Sequence, residues 1–197
     1  VRRGWGGDFE TEPGPIESSG EWEWGAAGPG FSWSGTRVWA TNLDGAYGNS
    51  TMSILTLGPF DLGDFTRARF QFRHRYRFEE NYDGGDIQIR VGAEGIWAPA
   101  TPEGGYPARH LDALNGSGYS GDSGEWERVL VPLDFYLGDE IWIRLRAGSD
   151  VGVTDLGWYV DDVSLLEAQA YIDPKDIAVV SGLDERVEMT WRPPTGV

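Results

Sequence analysis

TRARFQFRHRYRF, residues Thr66 to Phe78, is the longest strictly alternating run in the chain. Successive side chains of a strand point to opposite faces. Ala68, Phe70, Phe72, His74, Tyr76 and Phe78 therefore share one face, and Arg67, Arg69, Gln71, Arg73, Arg75 and Arg77 the other. A helix would scatter both sets around its circumference. The segment predicts a long half-buried strand whose aromatic row faces a core, with His74 as a packed core residue. Its five arginines stand in a protein of net charge -16, so pairing with carboxylates on neighbouring strands or loops is expected. Directly afterwards the sign reverses at Glu79, Glu80, Asp83 and Asp86, and the strand delivers an acidic loop.

The surrounding composition points the same way. A chain of 197 residues, 40% hydrophobic, can bury one sizeable core and carry an appendage. Its 29 glycines and 10 tryptophans, with no amphipathic helical pattern, predict an all-β domain with many turns. Cysteine is absent, which removes disulfides, thiolate-bound zinc and thiol nucleophiles. The acidic balance disfavours nucleic acid, whose phosphates need a basic field, and suits divalent cations or plain solvation. No run approaches the ~20 apolar residues of a membrane span. The chain begins at Val1, as expected of a processed chain or a piece of a longer one.

Pro13, Pro15 and Pro29 argue against a central strand in residues 1–35, where a short edge strand near Phe9 and covering loops are expected. Strands are predicted at Val38 to Thr41, Met52 to Leu57, Glu125 to Phe135, Glu140 to Ala147 and Gly157 to Leu166. Ile87, Ile89 and Val91 alternate with Gln88 and Arg90, and Gly84 and Gly85 read as a turn that would make this segment a hairpin partner of the opening strand. Residues 92–124 read as a long, mostly irregular cover. After residue 168, Gln169 to Asp173 reads as a linker and DIAVVSGLDERVEMTWRPP as two strands of another unit.

Few motifs carry chemistry. The GDSG of Gly121 to Gly124 has the look of a serine-protease nucleophile segment, yet His74 and His110 lack the context of a catalytic base. Zinc-protease spacing is absent, and so are phosphate-loop and dinucleotide fingerprints. Glu79, Glu80, Asp83 and Asp86 could supply a carboxylate pair for glycoside hydrolysis. The stronger reading of the acids is hard-cation binding, because calcium takes several oxygens from carboxylates and loop carbonyls. In Tyr159-Val160-Asp161-Asp162-Val163 a regular strand would turn the two aspartates to opposite faces, and an inward carboxylate needs a cation or an arginine.

GDFE near the start, TNLDGAY, NYDGGDIQIRVG, GDSGEW and above all GWYVDDVSL resemble the jelly-roll accessory domains of secreted bacterial peptidases of the immune inhibitor A type and, more distantly, MAM domains. The resemblance covers Gly7 to Glu167. It implies a two-sheet antiparallel β-sandwich, jelly-roll, MAM-like or galactose-binding-like, without catalytic activity and attached to an extracellular enzyme whose catalytic domain lies elsewhere. It also implies a structural calcium ion. Carried over residue by residue, the metal set is Asp8, Glu10, Asp161 and Asp162, with Asp44 added from the TNLDG loop. The start of residues 169–197 resembles the opening of a fibronectin type III domain, so residues 1–168 are expected to form the sandwich.

Ligand recognition is expected from loop aromatics, Trp22, Trp24, Trp97 and Tyr106 with Tyr119 beside them, and from Glu80, Asp83 and Asp86. Flat rings in glycine-rich loops can stack on sugars or grip a partner chain. The reading is a calcium-supported, secreted or cell-surface accessory module whose partners are other domains of its polypeptide and an extracellular glycan or protein. A carbohydrate-binding module and a hydrolase fragment with its own carboxylate site are the alternatives.

Overall fold

A computed structural model describes residues 3–11, 14 and 16–167, together with strands at 177–181 and 187–191. The strands in chain order are β1 (Arg3–Gly7), β2 (Ile16–Ser19), β3 (Trp22–Ala26), β4 (Arg37–Thr41), β5 (Met52–Asp61), β6 (Ala68–Arg77), β7 (Gly84–Val91) and β8 (Ala98–Ala100). They continue as β9 (Ala108–Leu111), β10 (Gly116–Gly118), β11 (Glu127–Pro132), β12 (Glu140–Gly148), β13 (Gly157–Glu167), β14 (Ile177–Ser181) and β15 (Val187–Trp191), with one 3-10 turn at Asp134–Tyr136.

Two antiparallel sheets face each other. The first runs β11-β6-β13-β4-β3, with β1 also on β13; the second runs β2-β5-β12-β7-β8. β14 and β15 pair with each other in a separate two-stranded sheet, and residues 169–176, 182–186 and 192–197 of the expected linker and fibronectin-like piece lie outside the described residues, as does residue 168. Among the described residues no helix is long and apolar enough to cross a membrane.

The alternating run forms β6 and lies centrally in the first sheet between β11 and β13. Its aromatic row is buried, as the period-2 pattern predicts, against Leu55 and Leu57 of β5, Ile87 and Ile89 of β7, and Ile141, Ile143 and Leu145 of β12. His74 has no exposed surface, and its Nδ1 accepts the indole N–H of Trp158 at 3.1 Å. Burial holds its pKa below the ordinary histidine value, against the opposing pull of Glu127. The arginine row divides its partners. Arg69 binds Glu103 (2.9 Å) and Asp134 (2.8 Å) and Arg77 binds Asp155 (2.5 Å), whereas Arg73 and Arg75 lie over the rings of Trp33 and Phe31 at 4.1 and 5.3 Å.

Three expectations are corrected. β7 does not pair with β6: it lies in the opposite sheet between β12 and β8, and residues 78–83 cross from one sheet to the other. Gly84 and Gly85 are strand residues rather than a turn, and close approach requires them. A Cβ on Gly84 would lie 2.2 Å from the Tyr119 carbonyl oxygen and one on Gly85 2.3 Å from the Trp158 ring. Residues 1–35 hold three strands, because Pro13 and Pro15 precede β2, Pro29 follows β3, and β2 and β3 each close one edge of a sheet. Gly85→Ala should consequently cost about 1–3 kcal/mol by overpacking the core, measured as a lowered midpoint in urea. An unchanged midpoint would refute the close approach.

Candidate functional site

The two aspartates of GWYVDDVSL sit in a β-bulge. Asp161 faces Arg73 of β6 and Ser164 faces Gln71, so β13 carries one extra residue, and Asp162 takes φ 47°. The bulge shifts the alternation. Trp158 and Val160 point into the core before it, Val163 and Leu165 after it. Both aspartates therefore serve the outer side of the first sheet, where a regular strand would have turned one inward. The same interruption separates two partners of β13: β4 pairs with Tyr159 and Val160, and β1 with Val163 to Leu166.

Into that gap drops the connection between β3 and β4. Asp161 is fully buried; its Oδ2 accepts the backbone N–H of Trp33 (2.9 Å) and Ser34 (3.0 Å), and its Oδ1 that of Asp162 (2.8 Å). Burial pushes its pKa up to about 6, with the three N–H donors opposing the shift. Asp162 accepts the Ser34 hydroxyl at 2.7 Å. On the far side of the same loop Glu10 accepts the N–H groups of Thr36 (2.8 Å) and Arg37 (2.7 Å), which hold its pKa below the ordinary value. Asp8 and Asp162 line a shared polar cleft of about 460 Å³ with Gln71 and Ser164. Four of the five expected metal residues thus surround one loop. Asp44 is exposed in the β4–β5 connection, its N–H donating to the Asn42 side chain.

A second convergence of acids joins the β6–β7 connection to the one after β12. Glu79, Asp83 and Asp150 each bring a carboxylate oxygen within 4.8 Å of the others. Asp83 is fully buried, accepts the Tyr47 hydroxyl (2.8 Å) and the Asp150 N–H (2.7 Å), and has its pKa raised by burial. Glu80, its neighbour in the loop, is exposed.

The outer face of the second sheet carries an open cleft of about 480 Å³, lined by Asp86, Gln88 and Arg146 below and by Trp97, Thr101, Asn115 and Ser117 around it. Alternation explains the floor. Ile87 and Ile89 of β7, and Ile143 and Leu145 of β12, point into the core, leaving Asp86, Gln88, Arg144 and Arg146 outward. Arg146 forks onto Asp86 through Nε (2.8 Å) and Nη2 (2.5 Å). Asp86 raises the Arg146 pKa, and the pair is fixed bidentately.

Of the expected ligand residues, Asp86, Trp97 and Tyr106 meet at this cleft. The Tyr106 hydroxyl is already committed, accepting the N–H of Ile87 (2.9 Å) and donating to the Ala100 carbonyl (2.8 Å), so it braces the β7–β8 edge. Trp22 and Trp24 are not loop aromatics. Both lie in β3; Trp22 is buried 5.8 Å from the Trp158 ring, and the Trp24 indole donates to the Phe9 carbonyl at 2.9 Å. Tyr119 is likewise buried, 4.5 Å from His74. The Ser123 hydroxyl of GDSG is hydrogen-bonded to the backbone of Tyr76, in keeping with a turn rather than a nucleophile.

Residue-level reading passed over Gln88, Arg144, Arg146 and Asp150. The alternation of EIWIRLRAG does place Trp142, Arg144 and Arg146 on one face, but which acids they meet depends on the register of two strands some 60 residues apart in sequence.

With this geometry in place, comparison with known proteins locates the chain. It aligns at 30% identity over 175 residues with Bacillopeptidase F of Bacillus subtilis (strain 168), covering 86% of this chain and 11% of that protein. The chain therefore spans about a tenth of the length of the relative it matches. Among solved structures, the K2 cleaved adhesin domain of Lys-gingipain superposes with a TM-score of 0.51 at 13% identity, covering 82% of this chain and 98% of that one. The two share a fold. A further neighbour, TmCBM61 in complex with β-1,4-galactotriose, superposes with a TM-score of 0.49 at 15% identity, covering 85% of this chain and 100% of that one. No family model matches the chain.

Proposed function

We propose that this chain is a non-catalytic extracellular binding module within a larger peptidase polypeptide, and that it takes glycan in the cleft on the second sheet. Its likeness to a small fraction of Bacillopeptidase F supports the first part. The observation that carries the second is the cleft itself, an open trough of about 480 Å³ in which the half-exposed Trp97 stands over hydrogen-bonding groups fixed by cross-strand pairs. An aromatic face matches the C–H face of a pyranose, and pre-oriented amide and guanidinium edges match its hydroxyls.

A glycan array read with the whole chain and with Trp97→Ala tests this. The expected result is binding by the wild type that weakens about tenfold or more in the variant, the scale of a central aromatic anchor. An array without signal would end the glycan reading and leave a module for protein partners. Hydrolysis by the chain itself is not expected: of the four acids of this loop, Asp86 is tied to Arg146 and Asp83 is buried beneath Tyr47, so a working pair would have to come from the adjacent Glu79 and Glu80. Turnover abolished by Glu80→Gln would contradict this.

Calcium belongs to the same proposal. Glu79, Asp83 and Asp150 offer a convergent all-oxygen set of the kind a hard cation selects, and three acids so close repel unless one is protonated or a cation joins them. The set expected from the resemblance, Asp8, Glu10, Asp161 and Asp162, is the alternative position, with Asp44 apart from both. Calcium should raise the melting temperature and a chelator lower it. Loss of that response in Asp83→Asn, with retention in Asp162→Asn, assigns the first position, and the converse the second. No response in the wild type removes calcium. We also place the module boundary near residue 168, so residues 1–168 expressed alone should melt at the temperature of the whole chain's main transition.

A further inference from the structure

The cleft on the second sheet continues into a row of cross-strand pairs between β7 and β12. Asp86 faces Arg146, Gln88 faces Arg144, and Arg90 faces Trp142. Only the first pair is neutral. In the second, one Gln88 amide oxygen accepts from both Nε (2.9 Å) and Nη2 (2.5 Å) of Arg144, which fixes the guanidinium without cancelling its charge. In the third, Arg90 lies over the rings of Trp142 (4.9 Å) and Trp97 (4.8 Å), and its buried Nε has no hydrogen-bond partner. Arg144 also lies over Trp97, at 4.4 Å.

Two guanidinium groups thus share one indole, and among the described residues neither forms a salt bridge, although Arg69, Arg77 and Arg146 each do. Arg73 and Arg75, stacked on Trp33 and Phe31, also lack one, so what distinguishes this pair is that both guanidinium groups meet at a single ring beside the cleft. On this face Asp86 is taken up bidentately by Arg146, Glu17 lies two strands from Arg144 by the register and so about 10 Å away, and Glu140 stands at the start of β12. None of the three is bonded to Arg90 or Arg144. Burial lowers the Arg144 pKa, and the neighbouring Arg146 and Arg90 add to the effect while Asp86 opposes it.

We propose that this face selects a carboxylated sugar, with a uronate carboxylate held by Arg144 and Arg90 and an adjoining pyranose resting on Trp97 and filling the cleft. The inference rests on the glycan reading above and narrows it to an acidic polymer. A guanidinium stacked on a ring keeps its N–H groups in its own plane, where a planar carboxylate can accept two of them. Asp86 is already neutralised by Arg146, and acids farther off are screened over the ~10 Å Debye length at 0.1 M salt, whereas a contact ion pair is not.

Calorimetry with the whole chain against an oligogalacturonate, its methyl ester and dextran sulfate tests the proposal, because the ester keeps the sugar and removes the charge. The free acid should bind about tenfold or more tightly than the ester. Arg90→Met should weaken the acid by about tenfold and leave the ester unchanged, whereas Arg144→Met, which also frees the Gln88 amide, should weaken both, and the acid more than the ester. Arg90→Met guards against misfolding as an explanation, since among the described residues Arg90 makes no side-chain hydrogen bond, and its melting temperature should match the wild type. Equal affinity for acid and ester overturns the inference while the glycan reading stands. Tighter binding of dextran sulfate overturns the assignment to a carboxylate, and silence of both the array and the oligogalacturonate overturns inference and reading together.

Discussion

Asp161→Ala unfolds more easily than the wild type by about 3 kcal/mol at pH 5, because backbone N–H groups of Trp33, Ser34 and Asp162 lose their acceptor at a buried site. The loss is concentrated in the β3–β4 connection, which should exchange its amide hydrogens faster than β6 in the same variant. The effect also has a pH sign. The folded pKa of Asp161, about 6, lies above the free value of 3.8, so the proton is held more tightly in the folded state. The contribution of this group is complete below about pH 4 and declines as the pH rises through 6, as the buried carboxylate ionises. The variant has no such group, and the gap between the two proteins should narrow from pH 5 to pH 7. Urea titrations at the two pH values check this. A gap that widens with pH would mean that the three N–H donors outweigh burial.

Trp158→Ala has the largest expected cost, about 3–5 kcal/mol. Trp158 is fully buried between the sheets, with Trp22, Phe72 and Tyr119 around it and Gly85 kept bare to admit its ring. Truncation opens a cavity that a stiff sandwich cannot close and strips His74 of the donor to its Nδ1. Trp158→Phe separates the two contributions: most of the ring volume returns while the hydrogen bond does not, leaving a cost of about 1–2 kcal/mol. Equilibrium unfolding of the three proteins distinguishes them, and a Trp158→Ala variant within 1 kcal/mol of the wild type would contradict the packing described.

The glycine pair shows where reading residues one at a time misleads. Gly84-Gly85 has the composition of a turn, but here glycine admits the Trp158 ring at Gly85 and the Tyr119 carbonyl at Gly84, which arrive from 73 and 35 residues further along the chain, and nothing local announces them. Asp161 and Asp162 were singled out from the sequence, yet a one-residue bulge decided which way they face, and a bulge leaves no periodic signal of its own. Trp22 and Trp24 looked like loop aromatics because Pro13, Pro15 and Pro29 surround them; β3 fits between those prolines as an edge strand.

What the sequence determined by itself is therefore local and periodic. Strict alternation from Thr66 to Phe78 specifies a strand, its core face and the burial of His74, because a period of two depends only on backbone geometry, and the glycine- and tryptophan-rich composition without an amphipathic helical pattern points to an all-β fold. Tertiary structure alone decided that β6 and β7 lie in opposite sheets, that Asp150 joins Glu79 and Asp83, and that Arg144 and Arg90 share Trp97 without a carboxylate. Each of these is a meeting of distant segments, fixed by strand order and register, and side-chain identity at one position carries no information about which distant position will face it.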